Sequence, residues 1–496
     1  MLKVTDIENS LRAHDLLVRA PQTAVTAFDF LHYDTRRVEN NTLFVVKGNF
    51  KAEYLANVVG VTGVVTETPL AVDMPQWLVR DSQKALSVLA QLFFDYPQKA
   101  LWIAGITGTK GKTTGAYFVY EMLKRATNNR TALFSTVDRV TGPTPADKKK
   151  SDLTTPESYE LFKDMRRAVD NGMTHLIMEV SSQAYLKQRV YGLDFQVGVF
   201  LNISPDHIGP SEHPDFEDYL RHKLMLFDHS EKVVINADAD QFDVILAHAR
   251  LTHADDAIFV YGLNAPFSYA SLGGDVLASQ FVVRGETTRI DVNGTYRLNV
   301  PGDFNESNAL ASLIVAGLAG ADLASRQAGL AQVAIPGRML TVDLGKHGVA
   351  FVDYAHNYAS MQALLSFAQK QYPAGRVLVV VGAPGNKAES RRADFGRVLS
   401  ELADVVYLTA DDPQFEQPRA IADEIAAHIT NDALSVHFEM DRLAAIEQAI
   451  LAAGEQDIVV VAGKGEDPYQ KVDGVDTPYI GDFAAVKNVA ERLKKA

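Results

Sequence analysis

The residues that most directly predict chemistry form a glycine-rich stretch that ends in lysine and threonine. The stretch, hereafter the phosphate loop, reads GITGTKGKTT from Gly105 to Thr114. Glycines allow a tight turn with inward-pointing backbone N–H groups, and a following helix would add partial positive charge. The ammonium of Lys112 could reach the β- and γ-phosphates of a nucleotide, and the Thr113 hydroxyl could bind Mg²⁺. The stretch therefore predicts a site for nucleotide phosphates.

The flanks of the phosphate loop support this interpretation, although its spacing is shorter than usual. The common G-x-x-x-x-G-K spacing would require glycine where the chain has Ile106, and the match is G-x-x-G-K-T-T from Gly108. Leu101–Ile106 is apolar and predicts a buried strand, and apolar residues at helical spacing from Thr114 to Leu123 predict a helix. The alternative is an ordinary glycine turn that binds no nucleotide.

Two further strands are predicted to end in polar side chains near the phosphate loop. His175–Glu179 ends in a carboxylate, and Val197–Asn202 leads into Asp206 and His207. In open α/β sheets, ligands bind outside the carboxyl ends of the strands, so Glu179 has the position of a metal-binding acid. The alternative for Glu179 is a strand-end side chain that faces water. For His207, a ligand role and a buried structural role are equally supported.

The remaining elements place these residues in an α/β protein. A strand at Thr42–Val46 and a helix at Ser82–Phe94 predict a small N-terminal α/β domain. Behind the phosphate loop, an Ala/Leu-rich helix runs to Ala319, and Asn305 near its start could cap it. Four apolar strands alternate with helices in the last third of the chain, which predicts a parallel, doubly wound sheet. These strands are Val349–Asp353, Arg376–Val381, Asp404–Leu408 and Asp457–Ala462.

Length and composition set the wider limits. At 496 residues the chain is long for one core, and we expect three domains at 1–98, 99–333 and 334–496, with a hinge at Ala334–Arg338. The net charge of −14 argues against nucleic acid as a partner, and the lack of cysteine excludes disulfides, zinc–thiolate sites and thiol nucleophiles. The sequence shows no signal peptide or membrane-length apolar run, so we expect a cytoplasmic protein. Lys148–Lys150 is interpreted as a solvated loop.

Taken in order, the motifs resemble the Mur ligase family, most closely its MurE type, over all three predicted domains. The matching stretches are Thr107–Thr114, Leu153–Pro156, Met178–Ser182, Asn202 with Asp206 and His207, Gly302 with Asn305 and Asn308, Gly337–Arg338, and Asp353–His356. Asp34-Thr35-Arg36 resembles the family's Asp-Ser-Arg motif for the uridine nucleotide, with Thr35 in place of serine. The implied fold is α/β, with a small UDP-binding domain, a central P-loop ATPase-type parallel sheet and a C-terminal Rossmann-like domain.

The resemblance also implies roles for the matching residues. ATP would be bound by Gly108, Thr109, Lys110, Gly111, Lys112, Thr113, Thr114, Asn305, Arg338 and Asp353. Mg²⁺ would be held by Thr113, Glu179, His207 and Lys223, and the catalytic residues would be Lys112, Glu179, His207 and Lys223. Lys223 matches the family lysine that is carbamylated to N6-carboxylysine. The two other substrates would be bound by Thr35, Arg36, Thr154, Thr155, Ser181, Arg189, His356, Arg392, Asp411, Asp412, Gln414, Glu466 and Asp467.

The implied reaction is the ATP-dependent ligation of an amino acid to UDP-N-acetylmuramoyl-L-Ala-D-Glu, in peptidoglycan precursor synthesis. The D-glutamate side-chain carboxylate attacks the γ-phosphate, and the amine of the amino acid then displaces phosphate from the acyl phosphate. Two anions approach each other in the first step, and Mg²⁺, Lys112 and the helix N-terminus would offset their repulsion. Domain closure would exclude water. The protein is expected to be a monomer, without nucleic acid and without membrane insertion.

Two departures from the family pattern bear on which amino acid is added. Enzymes of this type that add meso-diaminopimelate carry Asp-Asn-Pro-Arg, whose arginine pairs with the distal carboxylate, whereas this chain has Asp411-Asp412-Pro413-Gln414. A neutral glutamine cannot supply that bidentate ion pair. The family's Gly-Lys-Gly-His-Glu motif is altered to end in Glu466-Asp467. More acid and no arginine favour a side chain ending in an ammonium group, so we expect L-lysine, with L-ornithine next and meso-diaminopimelate after it.

Two other functions remain as alternatives. A folylpolyglutamate-synthase-like ligase would share the central ATP domain but would not use the N-terminal uridine-nucleotide domain. A regulator that binds ATP without ligation would not need Glu179, His207 and Lys223 together.

Overall fold

Apolar runs bounded by glycine and polar turns form strands, and the stretches between them form helices, so strand and helix alternate over most of the chain. The computed structural model describes residues 1–209, 212–274, 278–300, 303–336, 340–386 and 389–495. One compact unit comprises Met1–Leu272, Phe281–Arg297 and Phe304–Val333, and the other comprises Gly273–Gln280, Leu298–Asp303 and Ala334–Ala496. The domain limits expected near residues 98 and 333 stay a prediction. The helices in the described ranges all lack the length and apolar content that a membrane crossing needs.

The N-terminal region of the first unit builds a five-stranded sheet. Its elements are β1 (Leu2–Lys3), α1 (Val4–Ala13), β2 (Leu17–Arg19), β3 (Ala27–Phe28), β4 (Phe30–His32), β5 (Thr42–Val45), β6 (Val61–Thr66), β7 (Gln76–Val79) and α2 (Ser82–Phe93). The sheet order is β2–β7–β6–β5–β4, with β4 to β7 parallel and β2 antiparallel to β7. The predicted strand at Thr42–Val46 and helix at Ser82–Phe94 are confirmed, and the Asp81 carboxylate caps α2 by accepting hydrogen bonds from two backbone N–H groups.

The central region contains the longest sheet. Its strands are β8 (Trp102–Thr107), β9 (Thr131–Phe134), β10 (Asp138–Val140), β11 (Lys148–Lys150), β12 (His175–Glu179), β13 (Phe195–Phe200), β14 (Ser230–Asn236), β15 (Ile258–Gly262), β16 (Phe267–Gly274), β17 (Ser279–Arg284) and β18 (Gly294–Leu298). Its helices are α3 (Lys112–Ala126), α4 (Ser158–Asp170), α5 (Ser182–Leu186), α6 (Phe216–Asp228), α7 (Phe242–Thr252), α8 (Asp303–Leu318) and α9 (Leu323–Gln332). The 11-stranded sheet has the order β11–β10–β9–β12–β8–β13–β14–β15–β16–β17–β18.

Strand β8, which leads into the phosphate loop, lies between two parallel neighbours. In the pairing of β12 with β8, Glu179 lies opposite Ile106, and in that of β13 with β8, Phe200 lies opposite Thr107. The loops that follow β12 and β13 therefore begin on either side of the phosphate loop. This confirms the parallel central sheet and brings the predicted polar strand ends to one edge.

Two local predictions in this region are wrong. Lys148–Lys150 is strand β11 rather than a loop, although its side chains are exposed as expected. It pairs with β10, and Lys148 and Lys149 lie 2.8 and 2.7 Å from the carboxylates of Asp138 and Asp164. Asn305 does not cap α8, because it lies inside the helix and is buried.

The last part of the chain forms a six-stranded sheet and a hairpin. The elements are β19 (Leu340–Asp343), β20 (Val349–Asp353), α10 (Tyr358–Gln371), β21 (Val377–Val381), α11 (Ser390–Leu402), β22 (Val405–Leu408), α12 (Pro418–Ala427), β23 (Ser435–Phe438), α13 (Arg442–Ala452), β24 (Ile458–Ala462), β25 (Tyr469–Val472), β26 (Val475–Pro478) and α14 (Asp482–Lys495). The sheet order is β19–β20–β24–β21–β22–β23, and all strands but β19 run parallel. The doubly wound C-terminal sheet is confirmed, with the four predicted strands as β20, β21, β22 and β24.

Candidate active site

The phosphate loop is a glycine turn held by the strand beside it. Gly108 and Gly111 have φ angles of 155° and 79°, which side chains other than glycine rarely adopt. A Cβ at Gly111 would lie 2.8 Å from the side-chain amide of Asn308 on α8. Asn202, behind β13, accepts a hydrogen bond from Lys110 N at 2.9 Å and donates one to Lys110 O at 3.1 Å. The loop is therefore fixed from two sides while its helix, α3, begins at Lys112.

Two lysine ammonium groups meet at one carbonyl of this loop. Lys112 Nζ and Lys223 Nζ each donate a hydrogen bond of 2.8 Å to Gly108 O. Lys223, on α6, is 2% exposed and lies over the ring of Tyr219 at 4.7 Å. Burial, and then repulsion by Lys112, lower the pKa of Lys223 well below its ordinary value, although Asp206 opposes the shift. Burial next to Lys112 thus shifts the protonation equilibrium of Lys223 toward the neutral amine. The sequence alone offered no signal for this burial.

Glu179 is a buried carboxylate at the end of β12. It is 1% exposed, and its two oxygens accept hydrogen bonds from the backbone N–H and the hydroxyl of Thr136 at 2.7 and 3.0 Å. Within the described residues, Glu179 forms no ion pair. A carboxylate buried without a cation is costly, so this environment fits the binding of a positive ligand. The water-facing alternative for Glu179 is wrong.

Three of the predicted substrate residues form hydrogen bonds near the end of β12. Thr155 Oγ1 donates to Glu179 O at 3.0 Å and accepts from Ser181 N at 3.0 Å. Thr154 Oγ1 lies 3.1 Å from the hydroxyl oxygen of Thr136, which donates its own proton to Glu179. The structure thus brings Thr154, Thr155 and Ser181 beside Glu179.

Arg189, the fourth of these residues, shares a carboxylate with a lysine of the N-terminal sheet. Its guanidinium lies 2.9 Å from Glu157 Oε1, and Lys47, behind β5, pairs with the other oxygen of Glu157. The three side chains are 13%, 16% and 26% exposed for Arg189, Glu157 and Lys47. Two cations therefore share one carboxylate in a mostly buried place. Lys47 was not predicted, because its partner Glu157 lies more than a hundred positions away.

Glu157→Gln is expected to destabilise this junction by about 2 kcal/mol at neutral pH, because it leaves two cations without their anion. Burial raises the pKa of Glu157, but attraction to Arg189 and Lys47 outweighs burial and the pKa is lowered. The stabilisation is therefore fully present above the ordinary pKa of 4.5 and is lost as the pH falls through the lowered value. Urea unfolding of both proteins at pH 7 and below pH 4.5 measures this.

The difference between variant and wild type should shrink at the lower pH. Glu121→Gln is the matched control, because Glu121 pairs with half-exposed Lys124 at 3.5 Å and its loss should cost less than about 1 kcal/mol. Equal effects of both substitutions at pH 7 would contradict the assignment.

His207 is exposed rather than part of the core. Its side chain is 50% exposed, its φ is 54°, and its Nδ1 lies 2.7 Å from Glu212 Oε1. The buried structural role is therefore wrong, and the ligand role stays a prediction.

A group that the sequence analysis missed lies next to His207. Among the described residues, His213, Asp218 and His222 are the group of acids and histidines whose ligand atoms lie within 4.8 Å of one another. His213 is fully buried, and its Nε2 lies 2.9 Å from Ser182 Oγ. Burial lowers the pKa of His213, against the hydrogen bond to Asp218. The signal available in the sequence was the spacing His-x₄-Asp-x₃-His at the start of α6.

The N-terminal motif is folded back on itself. Asp34 accepts hydrogen bonds from the backbone and guanidinium N–H groups of Arg36, at 3.0 Å to the backbone and 2.7 Å to Nη2. This pairing lowers the pKa of Asp34 to about 2. Arg36 is 86% exposed in its side chain, and Thr35 is half-buried. The motif therefore lies at the surface at the end of β4.

In the second unit, the polar residues that follow β20 and β21 separate into exposed and buried ones. Asp353 is buried at the end of β20, and its carbonyl accepts a hydrogen bond from Gly463 N at 3.0 Å. His356 is exposed, with Nδ1 2.7 Å from Tyr354 O. Arg392 on α11 has a 4% exposed side chain and pairs with two glutamates. Gly337 and Arg338 of the predicted hinge lie outside the described residues.

The acidic motif of the second unit surrounds one lysine. The Nζ of Lys464 lies 2.7 Å from Asp412, 3.7 Å from Asp411 and 3.9 Å from Asp467, and Lys464 is 1% exposed. Burial raises the pKa of Asp411, against the attraction of Lys464 and Arg442. Asp467 is partly accessible and accepts a hydrogen bond from the Tyr354 hydroxyl at 3.1 Å.

Two other predicted residues complete this motif. Glu466 is exposed. Gln414 is half-buried with φ 56°, and its backbone bonds to the β25–β26 hairpin through Lys471 O and Asp473 N.

Comparison with known protein families matches two long parts of the chain to domains of one family. The chain matches the Mur ligase middle domain over residues 106–316 and the family described as Mur ligase, glutamate ligase domain, over residues 337–465. These two matches cover more than half of the chain.

Individual relatives agree with the family match. The UDP-N-acetylmuramyl-tripeptide synthetase of Latilactobacillus sakei subsp. sakei is 51% identical over 477 residues, 93% of either protein. The UDP-N-acetylmuramoyl-L-alanyl-D-glutamate--L-lysine ligase of Enterococcus faecalis is 48% identical over 475 residues, 93% of this chain and 91% of the relative. A solved UDP-N-acetylmuramoyl-L-alanyl-D-glutamate--2,6-diaminopimelate ligase has a TM-score of 0.67 at 26% identity over 95% of this chain and 97% of its own. The resemblance seen in the motifs is thus confirmed, and the chain belongs to the Mur ligase family.

Proposed function

We propose that the protein is an ATP-dependent ligase that joins L-lysine to the D-glutamate side chain of UDP-N-acetylmuramoyl-L-Ala-D-Glu in peptidoglycan precursor synthesis. The observation that carries the proposal is the phosphate loop, where two lysines meet beside the strand that ends in buried Glu179. Relatives named tripeptide synthetase and L-lysine ligase support it. We further propose that it acts as a cytoplasmic monomer.

The proposed reaction has two displacement steps. In the first, an oxygen of the D-glutamate side-chain carboxylate attacks the γ-phosphorus of ATP, the bond to the bridging oxygen breaks, and ADP leaves. In the second, the lysine amino group, after losing a proton to solvent, attacks the acyl carbon, and the carbon–oxygen bond to phosphate breaks. The products are the amide, ADP and inorganic phosphate, and no further reactant is needed.

The residues of the first unit supply charge for the first step. The backbone N–H groups of the phosphate loop and the Lys112 ammonium are suited to the triphosphate. The Thr113 hydroxyl and the Glu179 carboxylate are oxygen donors of the kind that Mg²⁺ prefers, and we propose His207 as a further ligand. Mg²⁺ bound there would offset the negative charge that collects as the carboxylate nears the γ-phosphate.

Lys223 is proposed to react with CO₂ and become a carbamate. The amine attacks the carbon of CO₂, a carbon–nitrogen bond forms, and one proton leaves to solvent. Only the neutral amine can do this, and the burial of Lys223 next to Lys112 favours that form. The product is an anion in place of a second cation, so it would attract Lys112 and support the bound metal.

Removal of CO₂ is therefore expected to lower phosphate release by the wild type, and added bicarbonate should restore it. Lys223→Ala should lose about 10²-fold in turnover and should not respond to bicarbonate. Mass spectrometry of the peptide that contains Lys223 should find the mass of one CO₂ added. Lys232→Ala, an exposed lysine on β14, is the control and should behave like the wild type. Wild-type turnover that ignores CO₂ would contradict the carbamate.

The UDP-linked substrate is proposed to bind in the first unit. Thr35 and Arg36 would meet the uridine nucleotide, and Thr154, Thr155, Ser181 and Arg189 would meet the sugar and peptide. Arg189 and Lys47 share one carboxylate, so the pair carries a surplus positive charge that suits an anionic substrate. The ATP contacts proposed for Asn305, Arg338 and Asp353 rest on the resemblance.

The amino acid is proposed to bind in the second unit, where carboxylates outnumber cations. Asp411, Asp412 and Asp467 surround the ammonium of Lys464, and exposed Glu466 precedes Asp467 in the sequence. Because Asp411 and Asp412 face Lys464, the more accessible Glu466 and Asp467 are the candidates for contact with the substrate side-chain ammonium. His356, Arg392 and Gln414 are proposed to complete this site.

Phosphate release with ATP, Mg²⁺, UDP-N-acetylmuramoyl-L-Ala-D-Glu and L-lysine tests the proposal. We expect release only when all three substrates are present, together with a product larger by one lysine. Release that needs a folate and L-glutamate instead would favour the folylpolyglutamate-synthase alternative. ATP binding without release under either condition would favour the regulator.

A further inference from the structure

A chain of three hydrogen-bonded side chains, two of them buried, adjoins the proposed substrate site. Ser182 Oγ lies 2.9 Å from His213 Nε2, and His213 Nδ1 lies 2.8 Å from Asp218 Oδ2. Ser182 and His213 are 2% and 0% exposed. With the proton on Nδ1, His213 donates to the carboxylate and accepts from the serine hydroxyl, so both ring nitrogens are satisfied. We call this set the Ser–His–Asp chain.

The Ser–His–Asp chain joins three elements that carry proposed site residues. Ser182 begins α5 and directly follows Ser181, which is hydrogen-bonded to Thr155. Asp218 lies in the first turn of α6, which also carries Lys223. His213 lies on the loop behind β13 and is the link between the other two.

The backbone of His213 holds the loop that carries His207. His213 N donates to His207 O at 3.1 Å, and Gly209 N donates to His213 O at 3.0 Å. One buried residue therefore contacts the turn of Ser181, the loop of His207 and the helix of Lys223.

We propose that His213 and Asp218 are positioning residues, which align the Ser181–Ser182 turn with the His207 loop for the sugar–peptide substrate. The inference rests on the proposed function and assigns these two residues no contact with substrate. Such alignment matters because the two reacting groups must be held about 3–3.5 Å apart in the right orientation, and a misplacement of about 1 Å can cost about 10²-fold in rate. Residues that hydrogen-bond to ligand-contacting groups, without touching the ligand themselves, fix the orientation of those groups.

Two other roles for the same residues are disfavoured by their contacts. The order serine, Nε2, Nδ1, carboxylate is that of a hydrolase triad, but Ser182 is 2% exposed and a substrate could not reach it. A metal at His213, Asp218 and His222 would have to replace the hydrogen bonds that both ring nitrogens of His213 already form with Asp218 and Ser182. His222 Nδ1 donates to Asp218 O at 2.8 Å, and Arg221 lies 2.5 Å from Asp218 Oδ1.

Ser182→Ala and His213→Ala, alone and combined, test the proposal in the full-length protein. Each single variant should raise KM for UDP-N-acetylmuramoyl-L-Ala-D-Glu about tenfold while KM for ATP changes less than about twofold. The double variant should raise this KM about as much as each single variant does, and not by the product of the two single effects, because the two side chains act through one hydrogen bond. His213→Gln, whose amide can still reach Ser182, should recover part of the loss.

Controls separate this role from general destabilisation and from failure of the proposed function. His248→Ala breaks an exposed His–Asp pair of 2.9 Å in the same unit and should leave both KM values unchanged. If His213→Ala unfolds, the proposal stands or falls on Ser182→Ala, which removes one oxygen. The proposal would be overturned if the KM effects of the two single substitutions multiplied in the double variant, or if both KM values changed equally. It would also be overturned if the protein bound stoichiometric Zn²⁺ and His213→Ala abolished that binding. A wild type that releases no phosphate would instead refute the proposed function.

Discussion

Lys112→Ala should lower phosphate release by about 10²- to 10³-fold, with little change in thermal stability. The ammonium of Lys112 lies at the start of α3 and hydrogen-bonds to the carbonyls of Gly108 and Thr109 at 2.8 and 3.2 Å. The ammonium can exchange these carbonyl oxygens for phosphate oxygens by moving its side chain, without a change of fold. Losing one positioned donor to a transferring phosphoryl group typically costs this much in turnover.

The control for this variant is Lys124→Ala on the same helix. Lys124 is 39% exposed and pairs with Glu121 at 3.5 Å, so its loss removes a similar charge far from the loop. Turnover should stay within about twofold of the wild type. Steady-state phosphate release at saturating substrates, with a melting curve for each protein, makes the measurement. An unchanged rate in Lys112→Ala would refute the catalytic role of the phosphate loop.

L-Lysine should be used at least about 10²-fold better than meso-diaminopimelate, in kcat/KM. In the proposed site, the distal carboxylate of diaminopimelate would lie near the carboxylates of Glu466 and Asp467, whereas the side chain of L-lysine would place an ammonium group there. Placing like charges together costs several kcal/mol, which corresponds to such a ratio. L-Ornithine, with its ammonium on a shorter side chain, should fall between the two.

Gln414→Arg tests the physical reason for this preference. An arginine there would supply the bidentate partner that a distal carboxylate needs, so the ratio should shift toward diaminopimelate by about tenfold or more. Gln417→Arg, three positions along on the exposed lead into α12, adds the same charge outside the motif and is the control. Turnover of diaminopimelate by the wild type at the rate of lysine would refute the specificity argument and leave the ligase proposal intact.

Strands could be predicted well wherever an apolar run ended at charged or glycine residues. β12 and β20 match their predicted limits at both ends, because the buried run and the strand are the same residues. β11 could not be predicted, since Lys148–Lys150 is exposed on every side chain and owes its strand to pairing with β10 and to acids elsewhere in the chain.

Some residues of the candidate site could likewise be predicted from the sequence, and others could not. Motif residues such as Lys112 and Glu179 follow from strand–turn–helix context, because their place depends on neighbours in sequence. The role of His213 could not follow from sequence, because its partner Ser182 is thirty-one positions away and the contact exists only in the folded sheet. The burial of Lys223 likewise depends on Gly108, more than a hundred positions earlier.

The pairing of β12 with β8 also fixes the position of Glu179 relative to the phosphate loop. Side chains alternate faces along a strand, so one residue inserted within Leu176–Met178 would turn Glu179 to the opposite face of the sheet while leaving its chain position almost unchanged. One residue inserted at Gly172, in the turn before the strand, would only lengthen that turn. Natural length variation should therefore be tolerated before His175 and absent from the strand itself. The distance between the phosphate loop and Glu179 is set by backbone hydrogen bonds rather than by any side chain.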